Sequence, residues 1–440
     1  MHFRLIFLFL SFLSATTQAQ NGFEFETNKN KVVIPFQLIN NLIFIPINVN
    51  GVELNFLLDT GVEETILLSL EEKEQVSFFN VQKIKLKGLG SEAPIEGLKS
   101  SNNVLSFNGL IDRKHDLYIV LDQSFNFSAH VGIPVNGIIG YHFFKNNLVE
   151  VNYDKKKLIV YRDNKKIRNK ISKNFTAIPI TVEKNKPYML ADVSIANEPI
   201  QAKLLLDLGN SDALWLFEGS KKEIKVPEKN FEDYLGKGFS GDINGKRARI
   251  SSLKMDQFEF TDPIIAFPDS MSVKSVSMVK NRVGSIGGEI FKRYTIVMDY
   301  PNGKMYLKKS HHFDEEFHYN MSGIELQNEG MQWVQETVSM STVYMDNTFD
   351  ETGEKKKDFR YKFTLKPVYT ISNIRKNSPG DLCGLQKGDT IISINNTAGY
   401  KYTLQSINQI LKSEDGRWIY MEIERNGKPR KFKFQLKSIL

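Results

Sequence analysis

Two aspartates in matching surroundings are the residues of this 440-residue chain best suited to chemistry. Asp59 stands in Phe-Leu-Leu-Asp-Thr-Gly, and Asp207 stands in Leu-Leu-Leu-Asp-Leu-Gly. A carboxylate at the end of a buried strand is costly unless it is hydrogen-bonded or shares a proton. Two such acids that meet cannot both ionise, so one keeps its proton while the other accepts a proton from water. The pair predicts general acid–base chemistry on a polarised carbonyl, without a covalent nucleophile or a metal ion.

The two aspartates belong to an internal repeat. Position 207 lies 148 residues after position 59, and Gly287 lies 147 residues after Gly140. These glycines end the sequences Gly-Ile-Ile-Gly and Gly-Ser-Ile-Gly. A lone Asp-Thr-Gly also occurs as a turn at the end of a strand, but two spacings that agree within one residue predict duplication. We expect two similar lobes, residues 20–165 and 175–312, joined by a polar link at 165–173.

Short apolar runs separated by Gly, Asn and Asp predict a mainly β fold in both lobes. The clearest predicted strands are residues 32–37, 43–49, 117–121, 148–153 and 158–161. Only two short helices are predicted, at 141–145 and 289–294. The fold class is therefore two similar β lobes followed by a third, smaller β unit.

Composition excludes several classes of function. The chain has 58 Lys and Arg against 51 Asp and Glu, a net charge of +7, with no dense basic segment, so no nucleic-acid partner is expected. The single Cys383 excludes an intramolecular disulfide and a cysteine-rich zinc site. Serine-hydrolase, zinc-protease and phosphate-loop motifs are absent from the sequence. We expect no cofactor and no metal, and we interpret the His-rich segment 311–318 as a solvated linker.

The N-terminus predicts export. Residues 1–19 have a basic start, a short apolar stretch and small residues before Ala19, which is the pattern of a cleaved signal peptide. No later apolar run is long enough for a membrane span. We expect a protein of the periplasm or exterior of a bacterium. Because both lobes lie in one chain, a monomer suffices.

The two Asp-x-Gly loops and the two hydrophobic-hydrophobic-Gly elements resemble those of retropepsin-like and pepsin-like aspartic proteases, in a two-lobed bacterial version. The resemblance covers residues 21–309. It implies that Asp59 and Asp207 form a catalytic dyad that activates water to cleave peptide or unfolded protein substrates. It also implies flap hairpins between Gly88 and Gly97 and between Gly238 and Gly245. The supporting positions implied by the resemblance are Thr60, Gly61, Gly209, Ile139, Gly140, Ile286 and Gly287.

Position 208 departs from this family pattern. The family has Thr or Ser after each aspartate, whose hydroxyls brace the two loops, whereas this chain has Leu208 in the second loop. Glu63 and Glu64 also place two extra acids close to the first loop, and Ser285 begins the second hydrophobic element. Two hypotheses remain open. The chain is an exported aspartic endopeptidase, or it is a weak or inactive protease scaffold that binds peptides.

The last third resembles a PDZ domain. The segment 378–395, Ser-Pro-Gly-Asp-Leu-Cys-Gly-Leu-Gln-Lys-Gly-Asp-Thr-Ile-Ile-Ser-Ile-Asn, carries the resemblance, which covers residues 325–440. It implies a small β-barrel with two short helices that binds a peptide as an added strand. The implied groove lies between strand 368–374 and helix 403–411, with a carboxylate-binding loop at 366–369. The predicted groove residues are Pro367, Val368, Tyr369, Ile371 and Ile407.

Overall fold

The computed structural model is built almost entirely from β-strands in four sheets. It describes residues 22–68, 70, 75–86, 95–121, 126–196, 198–238, 241–274, 279–339 and 359–440. The predicted signal peptide and the tip of the first predicted flap lie outside these residues. The prediction of a mainly β chain is confirmed. Among the described residues, no helix combines the length and apolar character needed to cross a membrane.

The first lobe contains the whole of one nine-stranded sheet. Its described elements are β1 (Glu24–Phe25), β2 (Lys31–Pro35), β3 (Gln37–Ile39), β4 (Leu42–Val49), β5 (Val52–Leu58), β6 (Thr65–Leu67), β7 (Gln82–Leu86), β8 (Ile95–Phe107), β9 (Leu110–Val120), α1 (Phe127–Val131), β10 (Gly137–Ile139), α2 (Tyr141–Phe144), β11 (Leu148–Asn152) and β12 (Lys157–Tyr161). The main sheet has the order β1-β9-β6-β10-β5-β4-β8-β7, with β3 paired to β4.

The second lobe repeats this plan. Its described elements are α3 (Lys165–Asn174), β13 (Thr176–Pro179), β14 (Thr181–Glu183), β15 (Lys186–Ser194), β16 (Pro199–Leu206), β17 (Leu214–Leu216), β18 (Asn230–Gly238), β19 (Gly241–Arg249), β20 (Ser252–Met255), β21 (Phe258–Thr261), β22 (Ile264–Pro268), α4 (Ser270–Lys274), β23 (Arg282–Ile286), α5 (Gly288–Phe291), β24 (Tyr294–Asp299) and β25 (Lys304–Lys309). The order of its sheet is β18-β19-β22-β17-β23-β16-β15-β20-β21.

The strands around the two aspartates have the same connectivity in both lobes. Strand β10 runs parallel to β5 and antiparallel to β6, and β23 runs parallel to β16 and antiparallel to β17. A third sheet, in the order β13-β25-β24-β11-β12-β2, takes strands from both lobes and ties them together. The sequence repeat therefore corresponds to a repeated topology. The exact domain boundaries stay a prediction.

The C-terminal module (residues 319–440) holds the fourth sheet. Its described elements are β26 (Ile324–Ser339), β27 (Phe359–Ile374), α6 (Pro379–Leu382), β28 (Thr390–Ile394), β29 (Thr397–Ala398), α7 (Leu404–Leu411), β30 (Trp418–Arg425) and β31 (Lys428–Gln435). The sheet has the order β26-β27-β28-β30-β31. Leu404, Ile407 and Leu411 lie on one side of α7 and are buried, because this apolar stripe packs into the core of the module.

Two segments, 165–173 and 311–318, were predicted from the sequence to be linkers. Both are structured. The predicted polar link is helix α3, which begins after Asn164, whose side-chain oxygen accepts a hydrogen bond from the Ile167 N–H at 3.0 Å. Ile171, one turn after Ile167, is buried, and this pair supplied a helical signal that the surrounding lysines obscured. In the segment 311–318, Phe313 and Phe317 are buried, so the prediction of a solvated linker was wrong.

Candidate functional site

Asp59 and Asp207 meet at the junction of the two lobes. Each follows the last residue of a buried strand, β5 or β16. A side chain at Gly209 would collide with the carboxyl group of Asp59, and a Cβ at Gly61 would lie 2.9 Å from Oδ1 of Asp207. Each glycine therefore faces the carboxylate of the opposite lobe, and its lack of a side chain allows the two acids to approach.

The hydrophobic-hydrophobic-Gly elements fix the backbone of both aspartates. The N–H of Asp59 donates to the carbonyl oxygen of Ile139 at 2.8 Å, and the N–H of Asp207 donates to that of Ile286 at 2.9 Å. Gly140 is in close contact with the carbonyl oxygen of Asp59, so a larger residue would push the loop away. The structure thus brings the implied supporting residues into contact with the loops that carry the acids.

The pKa values of both aspartates are raised. Burial and the charge of Asp207 raise the pKa of Asp59 to about 8. Burial also raises the pKa of Asp207, but the charge of Arg282 and hydrogen bonds from Asp59 and the Gly209 N–H oppose that rise. Lys186 lowers the pKa of both acids. Because two carboxyl groups this close cannot both ionise, the pair shares a proton, and the charge of Arg282 favours the ionised form of Asp207.

Thr60 braces the two loops across the lobe boundary. Its hydroxyl donates to the carbonyl oxygen of Leu206 at 2.6 Å and accepts from the N–H of Leu208 at 3.0 Å. Thr60 is fully buried. The Leu208 side chain packs into the apolar core and cannot return these bonds. The brace is therefore one-sided, yet the two carboxyl groups still meet.

A second pair of contacts across the lobes was not predicted from the sequence. Asn41 donates from Nδ2 to the carbonyl oxygen of Ser211 at 3.0 Å, and Asn185 donates from Nδ2 to Oε1 of Glu63 at 2.6 Å. Ser211 and Glu63 each lie four residues after an aspartate. Both asparagines occupy tight turns with positive φ, between β3 and β4 and between β14 and β15. The two asparagine turns occupy matched positions in the two lobes, and this match was the sequence signal that could have predicted the contacts.

The predicted peptide groove of the C-terminal module needs correction. Pro367, Val368, Tyr369 and Ile371 lie on β27, which is paired with β26 along its length and with β28 at Thr370. Among the described strands of this sheet, β26 is the outer one beside α7, so the edge available to a peptide belongs to β26. The predicted loop at 366–369 lies inside β27 and is not a loop.

Sequence alone could not assign this edge, because the strand that pairs with β27 is separated from it by residues 340–358. Ile407, the remaining predicted groove residue, is fully buried on α7 and belongs to the core of the module. Cys383 is half-buried, and burial raises the pKa of its thiol.

One group of side chains within the described residues has a composition compatible with a metal ion. Asp154, His311 and His312 lie close together near the protein surface. His311 Nδ1 lies 2.6 Å from Asp154 Oδ1, and His312 Nδ1 lies 2.5 Å from Oε1 of Glu315. Hydrogen bonds within this cluster therefore account for its geometry without an ion.

Comparisons with known proteins agree with part of this description. Residues 370–425 match the PDZ domain family, so the chain carries a PDZ domain in its C-terminal module. A solved structure, described as the aspartic proteinase from Irpex lacteus, has a TM-score of 0.44 and 13% sequence identity to this chain. That similarity covers 65% of this chain and 99% of the proteinase. A comparison with curated protein sequences gave no match.

Proposed function

We propose that this protein is an exported aspartic endopeptidase whose dyad is Asp59 and Asp207. The observation that carries the proposal is the meeting of two buried carboxyl groups at the lobe junction, where burial and the charge of Asp207 raise the pKa of Asp59. The two hydrogen bonds of the Thr60 hydroxyl support the same conclusion, because they hold the two aspartate loops together across the lobe boundary. This pair supplies both an acid and a base, which is what hydrolysis of a peptide bond by water requires.

The proposed reaction uses the two acids in different roles. The Asp207 carboxylate accepts a proton from a water molecule, which attacks the carbonyl carbon of the peptide bond. Asp59 donates its proton to the carbonyl oxygen, and a tetrahedral diol forms. The proton held by Asp207 then passes to the leaving amine as the carbon–nitrogen bond breaks, and Asp59 regains a proton from the diol. No covalent intermediate with the protein is needed.

A second candidate function is peptide binding without efficient catalysis. The one-sided brace favours it, because Leu208 gives the second loop no hydroxyl with which to hold the first. The PDZ domain supports peptide binding under either function, and the outer strand β26 offers the sheet edge to which an extended segment adds.

Cleavage of an unstructured peptide library by residues 20–440 tests the proposal. The assay is run from acid to neutral pH, and products are read by mass spectrometry. Asp59→Asn and Asp207→Asn are expected to abolish cleavage without unfolding the protein, whereas Asp192→Asn, which changes an exposed acid of the same lobe, is the matched control. Retained cleavage in either dyad variant would reject the assignment. No cleavage by the folded wild type at any pH would favour the binding protein.

Export and oligomeric state belong to the same proposal. Expression of the full chain in a bacterium with an outer membrane is expected to release a product that begins at Gln20 into the periplasm or medium. N-terminal sequencing checks the cleavage site, and light scattering is expected to give the mass of a monomer, with specific activity independent of concentration.

A further inference from the structure

The C-terminal module has a groove between β26 and α7, and both ends of this groove are defined by contacts. The loop before β26 closes one end, because the N–H of Met321 donates to the carbonyl oxygen of Leu411, the last residue of α7, at 3.2 Å. The other end lies at Leu404, the first residue of α7. An extended peptide that adds to β26 would run between these ends.

The loop at the closed end has its own acceptors for its backbone N–H groups. Oδ1 of Asn320 accepts from the N–H groups of Ser322 and Gly323 at 3.1 and 3.2 Å, and Oγ of Ser322 accepts from the N–H of Ile324 at 3.1 Å. Asn320 and Ser322 are both buried. A terminal carboxylate is captured by free backbone N–H groups, and these three already have partners. The groove therefore suits a segment that does not end in the loop.

Helix α1 of the first lobe lies against this groove. It packs on β26, and the glycine that ends it, Gly132, touches α7. A Cβ built on Gly132 would lie 3.0 Å from Cβ of Leu404. Gly132 has φ of 83°, so both its conformation and the close approach require glycine. One short segment of the first lobe thus bridges from the edge strand to the start of α7.

The second lobe holds the module in the same place. Nη1 of Arg375 lies 3.2 Å from Oδ1 of Asp233 on β18, and the guanidinium of Arg375 lies 4.3 Å from the ring of Phe231. Arg247 on β19 binds the other oxygen of Asp233 at 2.6 Å. These side chains are mostly buried, so solvent and salt screen these ion pairs less than they would screen a surface ion pair. The module is therefore anchored to the β18–β19 hairpin while α1 covers its groove.

We propose that α1 is an intramolecular ligand of the PDZ groove, and that a peptide binds there only by displacing α1. The proposal rests on the peptide-binding part of the proposed function, and it adds that α1 competes with the bound peptide for the groove. It assigns the groove to internal segments of other chains, with no requirement for a free C-terminus. Because the chain runs from α1 into β10, which holds the backbone of Asp59, occupation of the groove acts on the lobe that carries the catalytic acid.

Peptide binding to the full chain tests the competition. The probe is a fluorescein-labelled pool of random heptapeptides, prepared once with free C-terminal carboxylates and once with amides, and read by fluorescence polarisation. All proteins carry Asp59→Asn so that the probe is not cleaved. Gly132→Val forces α1 away from Leu404 and is expected to bind the pool at least about tenfold more tightly than the parent protein. Acid and amide pools are expected to bind equally.

Gly219→Val is the matched control. Gly219 has φ of 76°, but no atom lies within 4 Å of the position of its Cβ, so the substitution imposes the same backbone strain without a collision. It is expected to bind the pool as the parent does. Asn126→Ala is a milder second variant. Asn126 is exposed, and its replacement removes the N-cap hydrogen bond from the Ala129 N–H, which destabilises α1. It is expected to increase binding severalfold even if Gly132→Val does not fold.

Each other result overturns a defined part of the proposal. Equal binding by the parent, Gly132→Val and Asn126→Ala would show that α1 does not compete, while peptide binding would stand. Binding by none of them would overturn both the competition and the peptide-binding part of the proposed function. Preference for the acid pool would refute the closed loop at Asn320. The cleavage assay, run on proteins with Asp59 intact, judges the protease separately.

Discussion

The Thr60 hydroxyl offers the sharpest test of how the two lobes hold the dyad. Thr60→Val keeps the shape of the side chain but removes the bond to the carbonyl oxygen of Leu206 and the bond from the N–H of Leu208. Both partners then lose a bond in a site closed to water. An unsatisfied buried polar group costs about 1–3 kcal/mol, so the loss of both bonds predicts destabilisation of about 2–6 kcal/mol.

Urea unfolding measures this loss. Trp215 lies buried in the second lobe, with its indole N–H bonded to Asp212 at 2.7 Å, whereas Trp333 and Trp418 are exposed. The change in tryptophan emission on unfolding therefore comes mainly from the second lobe, to which Thr60 is bonded. Thr60→Ser keeps the hydroxyl and is the matched control, with an expected loss well below that of Thr60→Val. In the peptide cleavage assay, Thr60→Val is expected to lower kcat more than it raises KM, because the two acids are no longer held in one geometry.

Two results would refute this reasoning. If Thr60→Val unfolded at the same urea concentration as the wild type, the hydroxyl would contribute nothing across the lobes. If Thr60→Ser were as damaged as Thr60→Val, the cause would be packing and not the two hydrogen bonds.

The remaining predictions concern residue 208 and the charges of the dyad. Leu208→Thr supplies a second hydroxyl but loses buried apolar surface, so we expect higher cleavage activity together with a stability loss of about 1–3 kcal/mol in urea; lower activity would show that the site is adapted to Leu208. The raised pKa of Asp59 makes the folded state bind more protons than the unfolded state between about pH 4 and pH 8, so wild-type stability falls as pH rises through this window, by at most about 1.4 kcal/mol per pH unit for one proton. Asp59→Asn is therefore expected to be increasingly more stable than wild type from acid to neutral pH, and a constant difference would contradict the assigned proton. Cleavage is expected to persist at neutral pH and to fall above about pH 8, as kcat/KM profiles would show. Arg282→Met removes a charge that lowers the pKa of Asp207, so the acid limb of that profile is expected to move to higher pH.

The sequence predicted those parts of the fold that depend on repeated local patterns. The continuous apolar run before each aspartate predicted a buried strand. Strands β5 and β16 are such strands. The Gly140 and Gly287 elements were predicted to support the aspartates because the family resemblance implies it. Their hydrogen bonds to Asp59 and Asp207 are present.

The errors arose where tertiary contacts decide the outcome. Helix α3 was obscured because its two isoleucines stand among lysines that face solvent, so only two positions carried the helical period. The groove was assigned to the wrong strand because the outer strand of a hairpin cannot be distinguished from the inner one by composition. Arg293 shows a third limit: this buried cation lies 4.0 Å from the ring of Phe317, a pairing that depends on how the β24–β25 hairpin between them folds back.

The site draws its chemistry from the places where the two lobes differ. Two identical half-sites would give two equivalent acids, and either could hold the shared proton. Here the matched positions of the two lobes differ in charge. After the turn asparagine, the second lobe has Lys186 where the first lobe has Leu42. Two residues before the glycine element, the second lobe has Arg282 where the first lobe has Val135. Arg282 favours the ionised form of Asp207. Leu208 continues the same asymmetry, because it leaves the brace with the single hydroxyl of Thr60.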